Sequence, residues 1–410
     1  MTDNNSRRPT SASAHAIRGL ALASVSIVAL RAGTALAQTA APAAAPAAPA
    51  TVSLPTPGMS APLALNPNPY VLNVGPLGNW YVTGALSGIG FVQNNPAASD
   101  ETARLDLDNG QVFIQKTDGI LQFYAQAGVY TLPTVGSAYV PVTDTSHDYF
   151  GVVPQAFLKL VPDASFTIEA GKLPTLIGAE STFTFENIDI ERGLLWNQEP
   201  AVSRGVQLTY TKNTVTLNVS LNDGYYSNTY NWVSGSLAWA MNSASTLTFA
   251  GGGNLGHTDT STFATPLAQN NSSIYNVIYT YSNGPWTITP YLQASVVDAN
   301  ASLGFTQAAD SYSGAVLANY AFSPKFSLGG RFEYITTTGS AADGAPSLLY
   351  GAGSKAFSIT ATPTYQFNRF YVRGDVSYVQ ADGITPGDGF GKDGTGKEQV
   401  RGVLEVGVLF

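Results

Sequence analysis

The chain has 410 residues, of which only 11% are charged, with 41 glycines, 21 tyrosines and no cysteine. An ordinary soluble domain carries roughly 25% charged residues, and the missing charge is replaced here by Ser, Thr, Asn, Gln, Gly and Tyr. The absence of cysteine excludes disulfide frameworks, Cys-based zinc sites and thiol nucleophiles, and a net charge of −8 argues against a phosphate-rich nucleic-acid partner.

The first element is a targeting segment. Arg7, Arg8 and Arg18 precede an uncharged run from Gly19 to Leu30, and Ala35-Leu36-Ala37 offers a small-x-small cleavage site before Gln38. The run is too short to span a bilayer as a helix. Ser6-Arg7-Arg8 resembles a twin-arginine signal, but Pro9-Thr10 stand where apolar residues belong, so Sec-type export is expected. Residues 1–37 hold four Arg and one Asp, and their removal after Ala37 leaves a mature net charge of −11. Residues 38–78 follow as an Ala/Pro-rich periplasmic spacer. Prolines every few residues, as in Ala41-Pro42-Ala43-Ala44-Ala45-Pro46, deny it a helix.

From Asn79 onward the hydrophobic period is two. Val206, Leu208 and Tyr210 interleave with Gln207, Thr209 and Thr211, and Val215, Leu217, Val219 and Leu221 with Thr216, Asn218, Ser220 and Asn222. Such strands have one apolar and one polar face. The candidates are 79–93, 102–117, 119–132, 150–161, 164–173, 203–212, 214–222 and 231–242, then 244–254, 272–283, 285–298, 311–322, 325–338, 355–367, 369–380 and 398–410. No sustained helical period interrupts them.

The connections alternate between short and long. Short ones include Asp118-Gly119, Lys212-Asn213, Asn283-Gly284 and Asn368-Arg369, whose residues accept the positive φ of tight hairpins. Long ones are polar segments of about 8 to 29 residues. An even number of strands joined in this rhythm, 16 here, marks an all-β, transmembrane antiparallel β-barrel over residues 79–410. Its apolar face then meets outer-membrane lipid. Its polar face, with Gln111, Gln115, Gln122, Gln126, Gln207, Asn218 and Gln293, lines a lumen. Trp80, Tyr210, Trp286 and Tyr378 near strand ends suit interfacial girdles.

In the last strand Leu404, Val406, Val408 and Phe410 share one face. A terminal aromatic there resembles the signal read by barrel-assembly machinery, so Phe410 is the candidate assembly residue.

The third long loop, about residues 174–202, carries Glu180, Glu186, Asp189, Glu191 and Glu199 against the single Arg192. It also holds Phe183, Phe185, Leu194, Leu195 and Trp196, which an exposed loop disfavours. It is expected to fold inward and constrict the pore. By parity Arg331, Glu333, Arg373, Asp375, Arg401 and Glu405 face the lumen. Two arrangements fit: arginines facing the acidic loop across the pore in a transverse field, or each Arg paired with the nearby acid on its own strand.

Gly171-Lys172-Leu173, Thr175, Ile177-Gly178, Glu180, Asn187, Glu191-Arg192-Gly193-Leu194, Glu199-Pro200 and Arg204-Gly205-Val206 together resemble the central signature of the β-barrel porin-2 (OmpL-like) family. The resemblance implies an outer-membrane, porin-like protein of a Gram-negative envelope, extending over residues 79–410.

A barrel of 16 strands is wide enough for an aqueous channel. Passive diffusion of small hydrophilic solutes and ions, with modest cation preference from the acidic loop, is the expected function. The competing reading is a structural anchor or adhesin with a plugged lumen. A homo-oligomer is compatible with either. A hydrolase is disfavoured. His147 and His257 lie in long loops without a paired acid motif, and no Gly-x-Ser-x-Gly elbow or metal-ligand cluster occurs, so neither cofactor nor metal is expected.

Overall fold

The computed structural model describes residues 54–410. The targeting segment, the cleavage site after Ala37 and residues 38–53 lie outside the described residues. The strands are β1 (Tyr70–Asn73), β2 (Asn79–Gln93), β3 (Ala103–Lys116), β4 (Leu121–Tyr130), β5 (Gln155–Leu160) and β6 (Phe166–Pro174). They continue with β7 (Val202–Lys212), β8 (Val215–Asn222), β9 (Trp232–Asn242), β10 (Ser245–Asn254), β11 (Ser272–Asn283) and β12 (Trp286–Val297). The last five are β13 (Ala309–Ala321), β14 (Phe326–Thr337), β15 (Lys355–Phe367), β16 (Phe370–Asp382) and β17 (Glu398–Leu409). Each strand from β2 to β17 pairs antiparallel with the next. β17 pairs with β2 from Arg401↔Gln93 to Leu409↔Ala85, which closes a ring of sixteen strands without an edge.

Period two becomes two faces. Val206, Leu208 and Tyr210 on β7 and Leu217, Val219 and Leu221 on β8 are exposed on the outer surface, while Gln207 and Ser220 are buried. Gln111, Gln115, Gln126 and Gln293 are buried inside, and Gln122 and Asn218 are half-buried. The short turns hold Gly119, Asn213, Gly284 and Asn368 at φ between +54° and +75°, a region that glycine enters freely and Asn tolerates. Aromatic side chains collect at that end. Trp286 stands edge-on to Tyr320 at 4.6 Å, and Trp80 edge-on to Phe123 at 4.8 Å. Such a belt suits an interface between apolar and wet surroundings.

Strand ends lie within two residues of expectation in all but one place. Residues 150–154 do not join β5, because Gly151 turns at φ +72° and Pro154 has no N–H for the ladder. Two short helices, α1 (Val142–Asp148) and α2 (Leu267–Asn270), occur in long loops; at seven and four residues they are too short to leave a readable period.

The spacer reading of residues 38–78 is corrected over its described part. β1 pairs with the first residues of β2, from Tyr70↔Val82 to Asn73↔Asn79. Upstream of it, Met59 and Leu63 pack into a cluster with Phe113, Tyr124 and Phe185. The Ser60 N–H donates to the Glu186 carbonyl at 2.8 Å, and Gln366 exchanges two hydrogen bonds with the backbone of Ala64 at 2.9 and 2.8 Å. The Pro-rich backbone upstream of β1 builds no ladder of its own, so its polar groups find partners on the barrel and its long loop, with Leu63 buried and Met59 half-buried there.

The C-terminal residue completes the ring. Phe410 donates its N–H to the Gly84 carbonyl at 2.9 Å and accepts the Gly84 N–H at 2.8 Å. Its ring lies over Gly84, with Cζ only 2.4 Å from where a Cβ would stand. Phe410→Ala should lower the yield of heat-modifiable, membrane-inserted barrel several-fold, and Gly84→Val should do the same by pushing the ring off its seat. Normal yield from both variants in a gel-shift assay would show that this contact plays no part in closure.

Candidate functional site

The loop between β6 and β7 buries its apolar side chains in separate clusters with residues of the barrel strands. Ile177, Phe183, Phe185, Ile190, Leu194 and Leu195 are all 0–1% exposed. Local hydrogen bonds shape it: the Asn187 side chain accepts from the Ser181 N–H at 2.7 Å and donates to the carbonyls of Ser181 and Phe183 at 2.9 and 2.8 Å. Gly193 permits close approach to the wall, since a Cβ there would stand 2.0 Å from Glu333 Oε1. The next two N–H groups, of Leu194 and Leu195, donate to the Glu333 carboxylate at 2.9 and 3.3 Å.

The wall arginines meet the loop directly. Arg331 on β14 donates to Glu180 Oε1 and to the Glu191 carbonyl, both at 2.7 Å, and to Glu333 at 3.1 Å. Arg373 on β16 donates to the carbonyls of Thr184, Asn187 and Ile188 at 2.7–3.0 Å and stands 3.5 Å from Glu405. Arg401 on β17 donates to Glu191 Oε1 and to the Ser137 carbonyl, both at 2.7 Å. Asp375 accepts the N–H groups of Ile190 and Glu191, each at 2.9 Å. The Thr362 hydroxyl lies 2.6 Å from both Asp189 and Asp375.

These contacts correct both arrangements offered by the sequence. The arginines do not face the loop across a gap, because they are in contact with it and 0–2% exposed. Nor does each pair only along its own strand: Arg331 reaches Glu333, but Arg373 pairs with Glu405 on β17 and Arg401 with Glu191 on the loop. The reason is energetic. A buried guanidinium needs several acceptors to offset lost hydration, and the loop's carbonyls and carboxylates supply them.

Two residues of the sequence-derived group stand apart from these pairs. Arg192 is fully buried beside Trp196, its guanidinium 5.2 Å from the ring centre, and its nitrogens have no hydrogen-bond partner among the described residues. Glu186 accepts the Phe183 N–H at 3.0 Å, and burial pushes its carboxyl up to about 8, so it is mostly uncharged at pH 7. Burial also raises the Glu199 carboxyl above the usual carboxylate range.

The sequence missed Asp108. A bulge opposite Ser87–Gly88 turns both Asp108 and Asn109 inward, and each is 0% exposed. Asp108 then lies 2.6 Å from the Thr184 hydroxyl of the loop. Parity counting fails at a bulge because one extra residue shifts the face. Gln93 and Asp100 were also missed as partners of Arg401, at 2.8 and 3.4 Å.

A closed ring of sixteen strands with an apolar exterior and a polar interior defines the chain as a transmembrane β-barrel of channel-forming girth. Residues 80–410 match the family described as "Putative beta-barrel porin-2, OmpL-like", and the chain belongs to that family. It is an outer-membrane barrel of a bacterial envelope. Solved structures with the same fold include outer-membrane expressed OmpT of Vibrio cholerae, at 13% identity and TM-score 0.54 over 83% of this chain and 100% of that one. The outer-membrane channel DcaP of Acinetobacter baumannii is similar at 10% identity and TM-score 0.54, over 81% and 97%. Salmonella typhi OmpF, in complex with daunomycin, is similar at 14% identity and TM-score 0.52, over 81% and 98%. No curated protein matches the sequence.

Proposed function

We propose that the protein is a non-enzymatic channel for passive diffusion of small hydrophilic solutes, with residues 174–202 as its constriction and a modest preference for cations. The observation that carries this reading is the set of bonds from the loop to inward-facing residues of β14, β16 and β17. Family membership supports the channel class, and the named likeness to the DcaP channel is consistent with it. The preference is modest because Glu180 and Glu191 are paired with arginines and Glu186 is largely protonated, which leaves little free negative charge. Glu→Gln changes at positions 180, 186 and 191 with Asp189→Asn should move the reversal potential in a salt gradient toward anion preference. The shift should shrink as salt rises, since the screening length falls from about 10 Å at 0.1 M to about 3 Å at 1 M. An unchanged reversal potential would remove these carboxylates from the constriction.

The anchor with a plugged lumen is favoured by one observation. Val135, Leu194, Ile335, Tyr350, Val379 and Phe390 form a buried apolar cluster on the inner side of the barrel. Planar-bilayer conductance separates the two readings, because a plugged anchor passes no ions.

A further inference from the structure

The inner wall is chemically divided. Across the six strands β8 to β13 the only Asp, Glu, Lys or Arg is Asp310, half-buried at the start of β13. The inward positions there are Ser, Thr, Asn and Gln with a few apolar residues. By contrast β14, β16 and β17 contribute Arg331, Glu333, Arg373, Asp375, Arg401 and Glu405, all nearly fully buried against the loop.

The loop is attached to the two halves very differently. On the charged side it is held by guanidinium and carboxylate bonds. On the β8–β13 side its polar bonds to the strands, among the described residues, are two neutral ones, the Gly178 N–H to Asn276 Oδ1 at 3.3 Å and Gln293 Nε2 to the Leu195 carbonyl at 2.9 Å, and apolar packing of Ile188 and Leu195 on Ile278, Tyr291 and Leu317 completes the contact. Opening this side leaves no buried charge uncompensated, unlike opening the paired side opposite. The seam between loop and wall along β11 and β12 is therefore uncharged, held by neutral bonds and apolar packing.

A cavity of about 510 Å³ already lies on that seam, toward the short-turn end. Its wall presents the hydroxyls of Thr248, Thr280, Ser282, Thr287 and Thr289 together with the apolar surface of Ile278 and Leu317. Leu176, Gly178, Ala179, Asn187 and Ile188 of the loop form the opposite side, and Met59, Ser60 and Ala61 close another. No charged side chain lines it. Its volume falls in the range of roughly 300–1,000 Å³ that holds small organic ligands.

We propose that solutes cross the barrel along the β10–β13 wall, and that this hydroxyl-lined, uncharged seam selects small, neutral, polyhydroxylated molecules. The proposal rests on the channel reading above and names its solute class. Each hydroxyl both donates and accepts, so it can replace either kind of hydrogen bond that a solute hydroxyl makes to water. Ile278 and Leu317 offer surface to the solute's C–H groups. An ion passing this wall stays hydrated and gains no opposite charge, whereas a polyhydroxylated solute gains hydrogen bonds there.

The chain has no cysteine, so single thiols can be placed without a background. Thr280→Cys and Thr289→Cys put a thiol on the neutral wall; Thr364→Cys puts one on the inward face of β15, beside the charged wall. In planar bilayers, a bulky uncharged thiol reagent should cut conductance by about half or more in the first two and leave the third unchanged. In proteoliposome swelling, a neutral monosaccharide should enter at least about threefold faster than its aldonate anion. Block at position 364 but not at 280 or 289 overturns the seam, and faster entry of the aldonate overturns the solute class. A wild-type protein without any conductance overturns the channel reading itself, a result distinct from both.

Discussion

Arg331→Ala should destabilise the barrel interior by about 3–5 kcal/mol and raise single-channel conductance, because breaking a buried ion pair leaves its partners uncompensated. Arg331 holds Glu180 and the Glu191 carbonyl at 2.7 Å and Glu333 at 3.1 Å, with Asp189 at 3.7 Å. Without the guanidinium, three carboxylates crowd a region that the loop had sealed from water. Their repulsion and their demand for hydration both push the loop from the wall. The variant should lose heat-modifiable migration at a lower temperature and conduct with larger, noisier openings. Arg331→Lys should recover only part of the effect, because an ammonium keeps the charge but lacks the planar fork that serves several acceptors at once. Wild-type stability together with wild-type conductance in Arg331→Ala would show that this pair does not hold the loop.

What the sequence disclosed, and what it did not, follows from the range of the forces involved. Strand β2 was readable to the residue, Asn79–Gln93, because alternation and flanking turn residues are local. Turns such as Asn213 and Asn368 announced themselves through the few residue types that tolerate positive φ. The acidic loop and the arginines were also recognisable, since buried charge is rare enough to notice. Their pairing was not. Arg401 meets Glu191 across 210 positions of chain, and nothing in either neighbourhood specifies the other. The inward turn of Asp108 depends on a bulge, which alternation counting cannot foresee. Residues 54–69 escaped for another reason. A Pro-rich stretch lacks any period, yet Leu63, buried, and Met59, half-buried, seat it against the barrel's core cluster.

Leu292→Arg should be far more damaging than Thr289→Arg, although both lie on β12 only three positions apart. Leu292 is 65% exposed on the outer face and sits near the middle of the strand, whereas Thr289 lines the inner cavity. An arginine at the first position enters hydrocarbon, at a cost of roughly 2–4 kcal/mol near the bilayer midplane. At the second it enters a polar cavity, where its charge stays hydrated and its long stem can lie along the wall. Folding yield into lipid vesicles should therefore collapse for Leu292→Arg and hold for Thr289→Arg. The surviving variant carries a further signature. A fixed positive charge on a wall that otherwise has none should shift the reversal potential toward anions, and more so at low salt, where screening is weak. Equal loss of folding in the two variants would mean that the apolar and polar faces are assigned the wrong way round. Normal folding of Thr289→Arg with no change in selectivity would mean that permeating ions do not pass this wall.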